Sequence, residues 1–333
     1  MHIISISWVR NEADVIEAFV RHHCVIFDRM IIVDNQSKDD TGKILKNLKA
    51  EGLPLDIRYD DSFVHAQGDA LTTLLTEIKN EADIVVPLDA DEFLCAKRGL
   101  DVREILEELP HDTAVLVPWR TYVPMPGDVE SEMNVLLRIR HRRVRETPQW
   151  YKVIIPGALL KENVKLQMGS HALVRGDTDE NASHTQSETL FLGHFPVRTS
   201  EQIAGKVFGG WLSQVANPER LRGAIFQWKA IFDQLKSGTE IDKATLKQLA
   251  IDYGTVRQWE ALPESEKDQK TLEYFVTVPR HGVDGENEIT VDPLPMSFAL
   301  KYPVKRLSPL WILADSAEYL AEKVANLVRN NRA

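Results

Sequence analysis

The fold class that the sequence predicts is α/β: a mostly parallel sheet flanked by helices and followed by a helical C-terminal extension. Two observations carry this prediction. Short apolar runs alternate with segments of helical apolar spacing through about the first 90 residues, which is the pattern of parallel strands joined by helices. Four successive apolar runs also end in polar residues, and in such sheets ligands bind beyond the carboxyl ends of the strands. The polar ends therefore predict one shared site.

The elements follow in chain order. The predicted strands are 2–9, 30–33, 55–59 and 84–88, and the predicted helices between them are 13–27, 41–50 and 70–78. Further strands are predicted at 114–119, 150–155, 170–174 and 190–193. From about residue 200 the apolar spacing becomes that of helices, at 201–215, 219–235 and 316–331. We therefore expect an α/β domain over residues 1–205 and a helical extension over residues 206–333.

Composition excludes several classes of protein. The 43% hydrophobic content is enough for a substantial core. The net charge of −10 argues against a nucleic-acid binder, whose surface needs a basic footprint. Cys24 and Cys95 stand in apolar patterns, which suits a reducing compartment. We see neither a secretory leader nor a run that could cross a bilayer. We expect a cytoplasmic protein, whose last helix suits either ordinary packing or peripheral contact with the inner face of the membrane.

Polar residues form a group at the end of each of the first four strands. The groups are Arg10, Asn11 and Glu12; residues 34–40, beginning with Asp34; Asp60 and Asp61; and Asp89, Asp91 and Glu92. The second group is also typical of a loop that caps the next helix, since Ser and Asp side chains accept from free N–H groups there. For Asp34, both this loop-capping role and a role in the shared ligand site remain open.

The stretch VVPLDADEFL, residues 85–94, is the most informative of these strand ends. Residues two apart in a strand point to the same side, so Asp89 and Asp91 are expected to converge. Two convergent carboxylates suit Mg²⁺ or Mn²⁺, which can stabilise a departing diphosphate as a Lewis acid. The alternative is an ordinary acidic surface turn. Because crowded carboxylates repel one another, we expect Asp91→Asn to leave the metal-free fold at least as stable as the parent.

Four segments together resemble a known family. They are WVRNEADVIEAFVRHH, IIVDNQSKDDT, VVPLDADEF and GHFPVRTSEQIAGK, within about the first 205 residues. In this order they resemble glycosyltransferase family 2-like enzymes, which have the GT-A nucleotide-sugar-binding fold, a Rossmann-like architecture. The resemblance implies a nucleoside-diphosphate sugar as donor, with a UDP-sugar favoured, and a saccharide or glycolipid as acceptor.

The resemblance also implies roles for individual residues at the strand ends. Those expected to bind the donor are Arg10, Asn11, Glu12, Asp34 and Asp60 around the nucleoside, and Asp89, Lys152 and Arg198 around the ribose and phosphates. Lys206 lies on the same predicted helix face as Arg198 and could also neutralise phosphate. The expected ligands of Mn²⁺ or Mg²⁺ are Asp89, Asp91 and His194, with His171 left open as an alternative to His194.

An inverting reaction also needs a base that deprotonates the acceptor hydroxyl. The family's acidic pair is not evident here, and Asp177 and Asp179, with the neighbouring Glu180, are the available candidates. Trp119 and Trp150 could stack on acceptor sugar rings, although packing in the core is the commoner role of Trp. The basic run at 138–145 suits either an anionic acceptor or a solvated loop.

The function that we predict is metal-dependent, inverting sugar transfer, with a role in cell-surface glycan synthesis. The alternative from another class is a non-catalytic nucleotide-sugar or glycan binder of the same fold. A nucleotidyltransferase would need a glycine-rich loop after the first strand, and SWVRNEADV contains no glycine. A phosphatase with an aspartyl nucleophile would carry Thr or Val where Phe93 stands.

Overall fold

The computed structural model describes residues 1–61, 67–176, 178, 180–215, 226–237, 240–264, 267, 288–294 and 298–302. The predicted helix at 316–331 and the candidate bases Asp177 and Asp179 lie outside these residues. In the part that is described, the first elements are β1 (Ile3–Val9), α1 (Ile16–His23), β2 (Arg29–Asp34), α2 (Thr41–Ala50), β3 (Leu55–Tyr59), α3 (Gln67–Ile78) and β4 (Ile84–Pro87). The predicted alternation of strand and helix is confirmed.

The chain continues with shorter elements. They are β5 (Glu92–Ala96), α4 (Val102–Glu107), β6 (Ala114–Val123), α5 (Val135–Arg138), β7 (His141–Arg143), β8 (Tyr151–Pro156), β9 (Val164–Leu166), β10 (Leu173–Arg175), β11 (His184–Gln186) and β12 (Leu190–His194). The described helices after these strands are α6 (Ser200–Val215), α7 (Phe226–Lys236), α8 (Lys243–Asp252) and α9 (Val256–Glu260), and β13 (Ile289–Val291) is the last described strand.

The main sheet is parallel through its first half and mixed beyond it. β3, β2, β1 and β4 lie side by side and parallel, and β8 then pairs antiparallel with β4. β6, β7 and β13 continue the order after β8. β12 inserts between β5 and β6, so that His194 lies opposite Glu92 on one side and Thr121 on the other. The strand that follows the acidic cluster and the strand that carries His194 are therefore neighbours.

Helices cover both faces of the parallel strands, because alternate side chains of each strand point to opposite faces. On β2, Met30 and Ile32 pack in the core that includes α1 and α2. Ile31 and Val33, one residue further along, pack against α3. A third core joins α6, α7 and α8 to the end of β6. Both cores of the sheet bury their Ile and Val side chains almost completely, which is the main favourable term in folding.

Three features connect the predicted extension to the α/β domain. Helix α6 runs through the predicted boundary at residue 205, and β13 pairs with β7 at the edge of the sheet. The backbone N–H groups of Lys301 and Tyr302 donate to the buried carboxylate of Glu17 at 2.7 and 2.9 Å. The boundary itself stays a prediction. No helix within the described residues is long and apolar enough to cross a membrane.

Candidate functional site

The loops that follow β1 and β2 are cross-linked to each other. The backbone N–H of Asn11 donates to Ser37 Oγ at 2.9 Å, and the N–H of Lys38 donates back to Asn11 Oδ1 at 2.8 Å. The N–H of Glu12 donates to Thr41 Oγ1 at 2.9 Å. Asn11 has φ of 55°, a left-handed conformation that persists only where its surroundings enforce it. These bonds hold the two strand ends as one rigid unit.

Asp34 ends β2 and is buried. Its Oδ1 accepts from the N–H of Ser37 at 2.9 Å, so the loop-capping role is present. Its Oδ2 faces Gly42 in the first turn of α2, at 2.9 Å from where a Cβ would stand. The absence of a side chain at Gly42 therefore makes room for this carboxylate. Asp39 is occupied on both oxygens, by the N–H groups of Ala13 and Thr41, as a purely structural loop residue would be.

Asp60, which follows β3, is hydrogen-bonded to a residue of β1 and to the residue that follows β2. Its Oδ2 accepts from Trp8 Nε1 at 2.8 Å and from Asn35 Nδ2 at 3.2 Å. Three of the four groups of strand-end residues predicted from the sequence thus lie together at one edge of the sheet, with Arg10 on the first of these loops.

The acidic cluster has a different local geometry from the one expected. β4 ends at Pro87, and the N–H of Glu92 donates to the carbonyl of Asp89 at 3.0 Å, which closes a turn. The strand geometry expected for Asp89 and Asp91 is therefore wrong, because the alternation of a strand does not apply within a turn, and the convergence of the two carboxylates on one cation stays a prediction.

Asp89 is held by two side chains. Lys152 Nζ lies 2.8 Å from Asp89 Oδ2, and Gln67 Nε2 donates to Oδ1 at 2.6 Å. Lys152 also pairs with Glu92 at 3.2 Å. The lysine in the apolar strand β8 thus has carboxylate partners. Gln67 had no distinctive sequence signal, since its place at the start of a helix is explained equally well by capping.

Asp91 is at the centre of a separate charge network. Lys206 Nζ lies 2.5 Å from Asp91 Oδ2, and Arg198 Nη1 lies 3.6 Å from the same oxygen. Arg198 is fully buried and also pairs with Glu12 Oε2 at 2.6 Å and Asp14 Oδ2 at 2.7 Å. Asp89 and Asp91 therefore each have a cationic partner without any metal. The premise that only repulsion acts on these two carboxylates is wrong, and the effect of Asp91→Asn on stability stays a prediction.

Burial and the neighbouring charges give the carboxyl groups of this site different pKa values. Burial alone would raise the pKa of Asp89 and of Asp91, but the ammonium groups of Lys152 and Lys206 hold both below the ordinary range. Burial raises the pKa of Glu12 to about 7, against the opposing charge of Arg198. Burial likewise raises the pKa of Glu92 to about 8. The two aspartates are the ionised members of the cluster.

His194 ends β12 beside this network. Its ring lies 4.0 Å from the ring of Trp119, centroid to centroid, and burial lowers its pKa to about 3. The imidazole is therefore neutral, the form that binds metals. Its Nδ1 is buried and has no hydrogen-bond partner among the described residues.

His171 is the alternative to His194, and one of its ring nitrogens is hydrogen-bonded. Nδ1 bonds the carbonyl of Tyr151 at 2.7 Å. Its ring stacks obliquely on Trp150, with centroids 5.2 Å apart. Burial lowers its pKa to about 4. His171 therefore stays an alternative ligand.

The predicted metal ligands do not form a closed set in this arrangement. Among the residues that the structure describes, no three His, Cys, Asp or Glu side chains are placed to hold one metal ion. Asp89, Asp91 and His194 are close enough to influence one another's pKa values, although the Asp89 carboxylate is bound to Lys152 and Gln67. The three predicted ligands are thus neighbours that do not form a closed set.

Two arginines of the basic run at 138–145 form ion pairs within the protein. Arg142 Nε pairs with Asp292 at 2.6 Å, and the buried Arg143 pairs with Glu146 at 2.9 Å. Arg143 also donates to the carbonyls of Ala250 and Tyr253. These two arginines are therefore structural and do not present charge to an anionic acceptor.

A family model described as glycosyl transferase family 2 matches residues 6–164. The match includes β1 to β8, the cross-linked loops and the acidic cluster, and it confirms the resemblance seen in the sequence. Residues 6–164 thus resemble a family 2 glycosyltransferase domain, and this span contains the parallel strands and the loops at their carboxyl ends. No curated protein matches the chain.

Two solved structures illustrate the resemblance of the fold. TarS residues 1–349 from S. aureus are 14% identical, with a TM-score of 0.36, over 78% of this chain and 78% of that one. The mannosyltransferase PcManGT from Pyrobaculum calidifontis, solved with GDP-Man and Mn²⁺, is 17% identical, with a TM-score of 0.36, over 83% and 84% of the two chains. TM-scores this low carry no argument, and the similarity to family 2 rests on the sequence match over residues 6–164.

Proposed function

We propose that this glycosyltransferase moves a sugar from a nucleoside-diphosphate donor to a saccharide or glycolipid acceptor, with a divalent cation and with inversion at the anomeric carbon. The observation that carries the proposal is the group of buried Asp91, Arg198 and His194 with the partly buried Lys206 at the carboxyl ends of the strands. Buried charges of both signs are costly to hold in a core unless they have a function or a full set of partners.

The donor set fits a divalent cation in part. The Asp91 carboxylate and the unpartnered Nδ1 of neutral His194 are ligands that Mn²⁺ accepts, and phosphate oxygens of the donor can complete its shell. Asp89 would join them if Lys152 and Gln67 released it. Such a cation supplies Lewis-acid stabilisation of the leaving diphosphate.

The protein's own cations supply the remaining charge. Lys206 has three N–H donors, and its pairing with one oxygen of Asp91 leaves it able to contact phosphate. Arg198 is fixed by Glu12 and Asp14, so it contributes a preorganised positive charge rather than a mobile ligand. The Asp34 carboxylate and the cross-linked loops would hold the nucleoside, for which we favour uridine.

The acceptor side would lie along the aromatic residues next to His194. The rings of Trp119 and Trp150 are 6.4 Å apart, and Trp119 Nε1 is buried without a partner among the described residues. An indole N–H beside an aromatic face suits a sugar ring, which offers both apolar C–H groups and hydroxyls. Asp177 and Asp179 stay our candidates for the base, in a cytoplasmic enzyme of cell-surface glycan synthesis.

The test is a screen of UDP-, GDP-, dTDP-, CDP- and ADP-sugars for release of free nucleoside diphosphate, with Mn²⁺ or Mg²⁺ and with chelator. We expect release from one donor class, and only with the cation. Asp91→Asn should lower this release by several orders of magnitude, since Lewis-acid stabilisation is worth several kcal/mol. Asp61→Asn, in an exposed loop, is the matched control.

One observation favours the second candidate, a non-catalytic nucleotide-sugar binder of the same fold. Lys152 and Lys206 already neutralise both aspartates, as they would in a domain that has no need of a cation. Saturable binding of a sugar nucleotide, equal in affinity with and without chelator and never accompanied by diphosphate release, would establish this candidate and refute ours.

A further inference from the structure

β3 is the last strand at one edge of the main sheet. Among the described residues it pairs with β2 alone, in parallel register. The carbonyl of Pro54 accepts from β2 at 2.8 Å, and the N–H of Asp60 donates to β2 at 3.1 Å. The backbone groups of successive residues in a strand point alternately to its two sides. The backbone groups of Leu55, Ile57 and Tyr59 therefore point away from the sheet.

Most of these outward backbone groups are available for pairing with another strand. The N–H of Leu55 donates to the carbonyl of Leu53 at 2.7 Å. Within the part of the chain that the structure describes, Ile57 and Tyr59 have no backbone hydrogen bond on the outer side. The Tyr59 side chain is 61% exposed. Such an edge is a template for a further strand unless the sequence protects it.

Two opposite charges stand between the outward-pointing residues. Asp56 and Arg58 are two apart and so lie on the same face of the sheet. Asp56 pairs with Arg29 and Arg58 pairs with Glu77, both at 2.5 Å. The side chains of Arg58 and Asp56 are nevertheless 30% and 29% exposed, so each can meet a further partner of opposite charge.

A second copy of β3 fits this edge in an antiparallel arrangement, about a two-fold axis at Ile57. Each Ile57 N–H would donate to the Ile57 carbonyl of the other copy, and each Tyr59 N–H to the Leu55 carbonyl of the other copy. Asp56 of each copy would then face Arg58 of the other, and opposite charges directly across an antiparallel pair are stabilising. A shift of two residues either way would instead place Asp56 opposite Asp56 or Arg58 opposite Arg58. The charges therefore select one register.

We propose that the β3 edge is the interface of a symmetric dimer of this chain, in which two antiparallel β3 strands join the two sheets into one. An edge that has to stay unpaired is protected by proline or by charges that repel a copy of themselves. Here each charge meets its opposite, which is the self-complementarity that a two-fold interface requires. The inference is independent of the proposed function.

The test is sedimentation equilibrium of the parent and of two charge variants, at about 1 to 100 µM protein. Asp56→Arg would place positive charges opposite each other across the axis, and Arg58→Asp would place negative charges there. We expect the parent to dimerise in this range and each variant alone to dimerise about tenfold more weakly. An equimolar mixture of the two variants should dimerise again, because every cross-strand pair then joins a positive side chain to a negative one.

Two further variants separate the interface from effects within one chain. Glu77→Gln is the matched control, because it removes the carboxylate partner of Arg58 and leaves the β3 edge intact. It should dimerise as the parent does. Tyr59→Pro removes one outward N–H from each copy at a place where an edge strand tolerates proline. It should weaken dimerisation without any change of charge, and circular dichroism checks that each variant is folded.

Each outcome supports or overturns the inference. A parent that stays monomeric over the whole concentration range would overturn it. A dimer that both charge variants form as readily as the parent would also overturn it, because the contact would then lie on another face. If the mixture of the two variants is as weakly associated as each variant alone, the pairing of Asp56 with Arg58 is refuted. The screen of sugar nucleotides tests the proposed function separately from all of these results.

Discussion

Asp91→Asn tests whether the acidic cluster is held together by the protein's own cations. The carboxylate is 2% exposed, and it pairs with Lys206 at 2.5 Å and lies 3.6 Å from Arg198. Asparagine keeps the size of the side chain and removes its charge. Two buried or half-buried cations would then face each other with one compensating anion fewer, so we expect the metal-free protein to be destabilised.

The magnitude follows from the burial of the two partners. Breaking a buried ion pair by removing one member is worth about 3–5 kcal/mol, because the remaining charge stays uncompensated. The Lys206 side chain retains 19% exposure, and Arg198 keeps Glu12 and Asp14. We therefore expect the lower end, about 3 kcal/mol. Lys206→Met in the same chain removes the stranded cation, so the double variant should recover most of this loss.

The assay is chemical denaturation in the presence of chelator, with the free energy of unfolding compared among the parent, Asp91→Asn and the double variant. Asp61→Asn removes a carboxylate from an exposed loop and should change the free energy by less than about 0.5 kcal/mol. An Asp91→Asn protein as stable as the parent would refute the reasoning. It would show that Lys206 does not compensate Asp91 when no ligand is bound.

Three further predictions concern other parts of the fold. Gly42→Ala should weaken nucleoside binding without removing any charge, because its Cβ would press on the Asp34 carboxylate at 2.9 Å; calorimetry with Asp34→Ala as reference checks this. His23 is buried, with both ring nitrogens bonded to backbone groups, and burial holds its pKa well below the ordinary value. Below a pH of about 6.5 the His23 imidazole binds a proton in the unfolded chain but not in the folded protein, so the free energy of unfolding falls by up to about 1.4 kcal/mol per pH unit. Denaturation of His23→Gln between pH 7.5 and 5.5 should show a shallower fall in this free energy than the parent shows. Glu17→Ala leaves two backbone N–H groups at 301 and 302 without their acceptor, and proteolysis should cut near Tyr302 sooner than in the parent.

The sequence predicts elements best where local pattern and tertiary packing agree. The bounds of α2 and β3 match the prediction residue for residue, because apolar spacing alone marks both elements. β6 runs to Val123 rather than to Trp119, because Arg120 and Thr121 continue the strand by pairing with β12. Such pairing depends on a strand about 70 residues further along, and no local pattern contains that information.

The site shows the same division between local and distant signals. The strand-end groups were visible because polar residues after apolar runs are a local signal. The partners of those residues were not, since Gln67, Asp14 and Tyr253 occupy positions that capping or packing explains equally well. The turn at Asp89 and Asp91, in place of the strand alternation that we expected, has a related cause. The apolar run predicted a strand to Leu88, and the following turn depends on one backbone hydrogen bond, from the N–H of Glu92.

The two lysines beside the acidic cluster explain how the cluster can be stable in the folded protein without a bound ligand. A cluster of ionised carboxylates that waited for a metal would destabilise the fold in the meantime through repulsion and desolvation. Here Lys152 comes from β8 and Lys206 from α6, so the compensation is supplied by elements outside the cluster itself. In the function that we propose, a divalent cation and the donor phosphates would exchange for an ammonium partner, so that one set of favourable contacts replaces another. Donor affinity would then be the difference in free energy between these two sets of contacts.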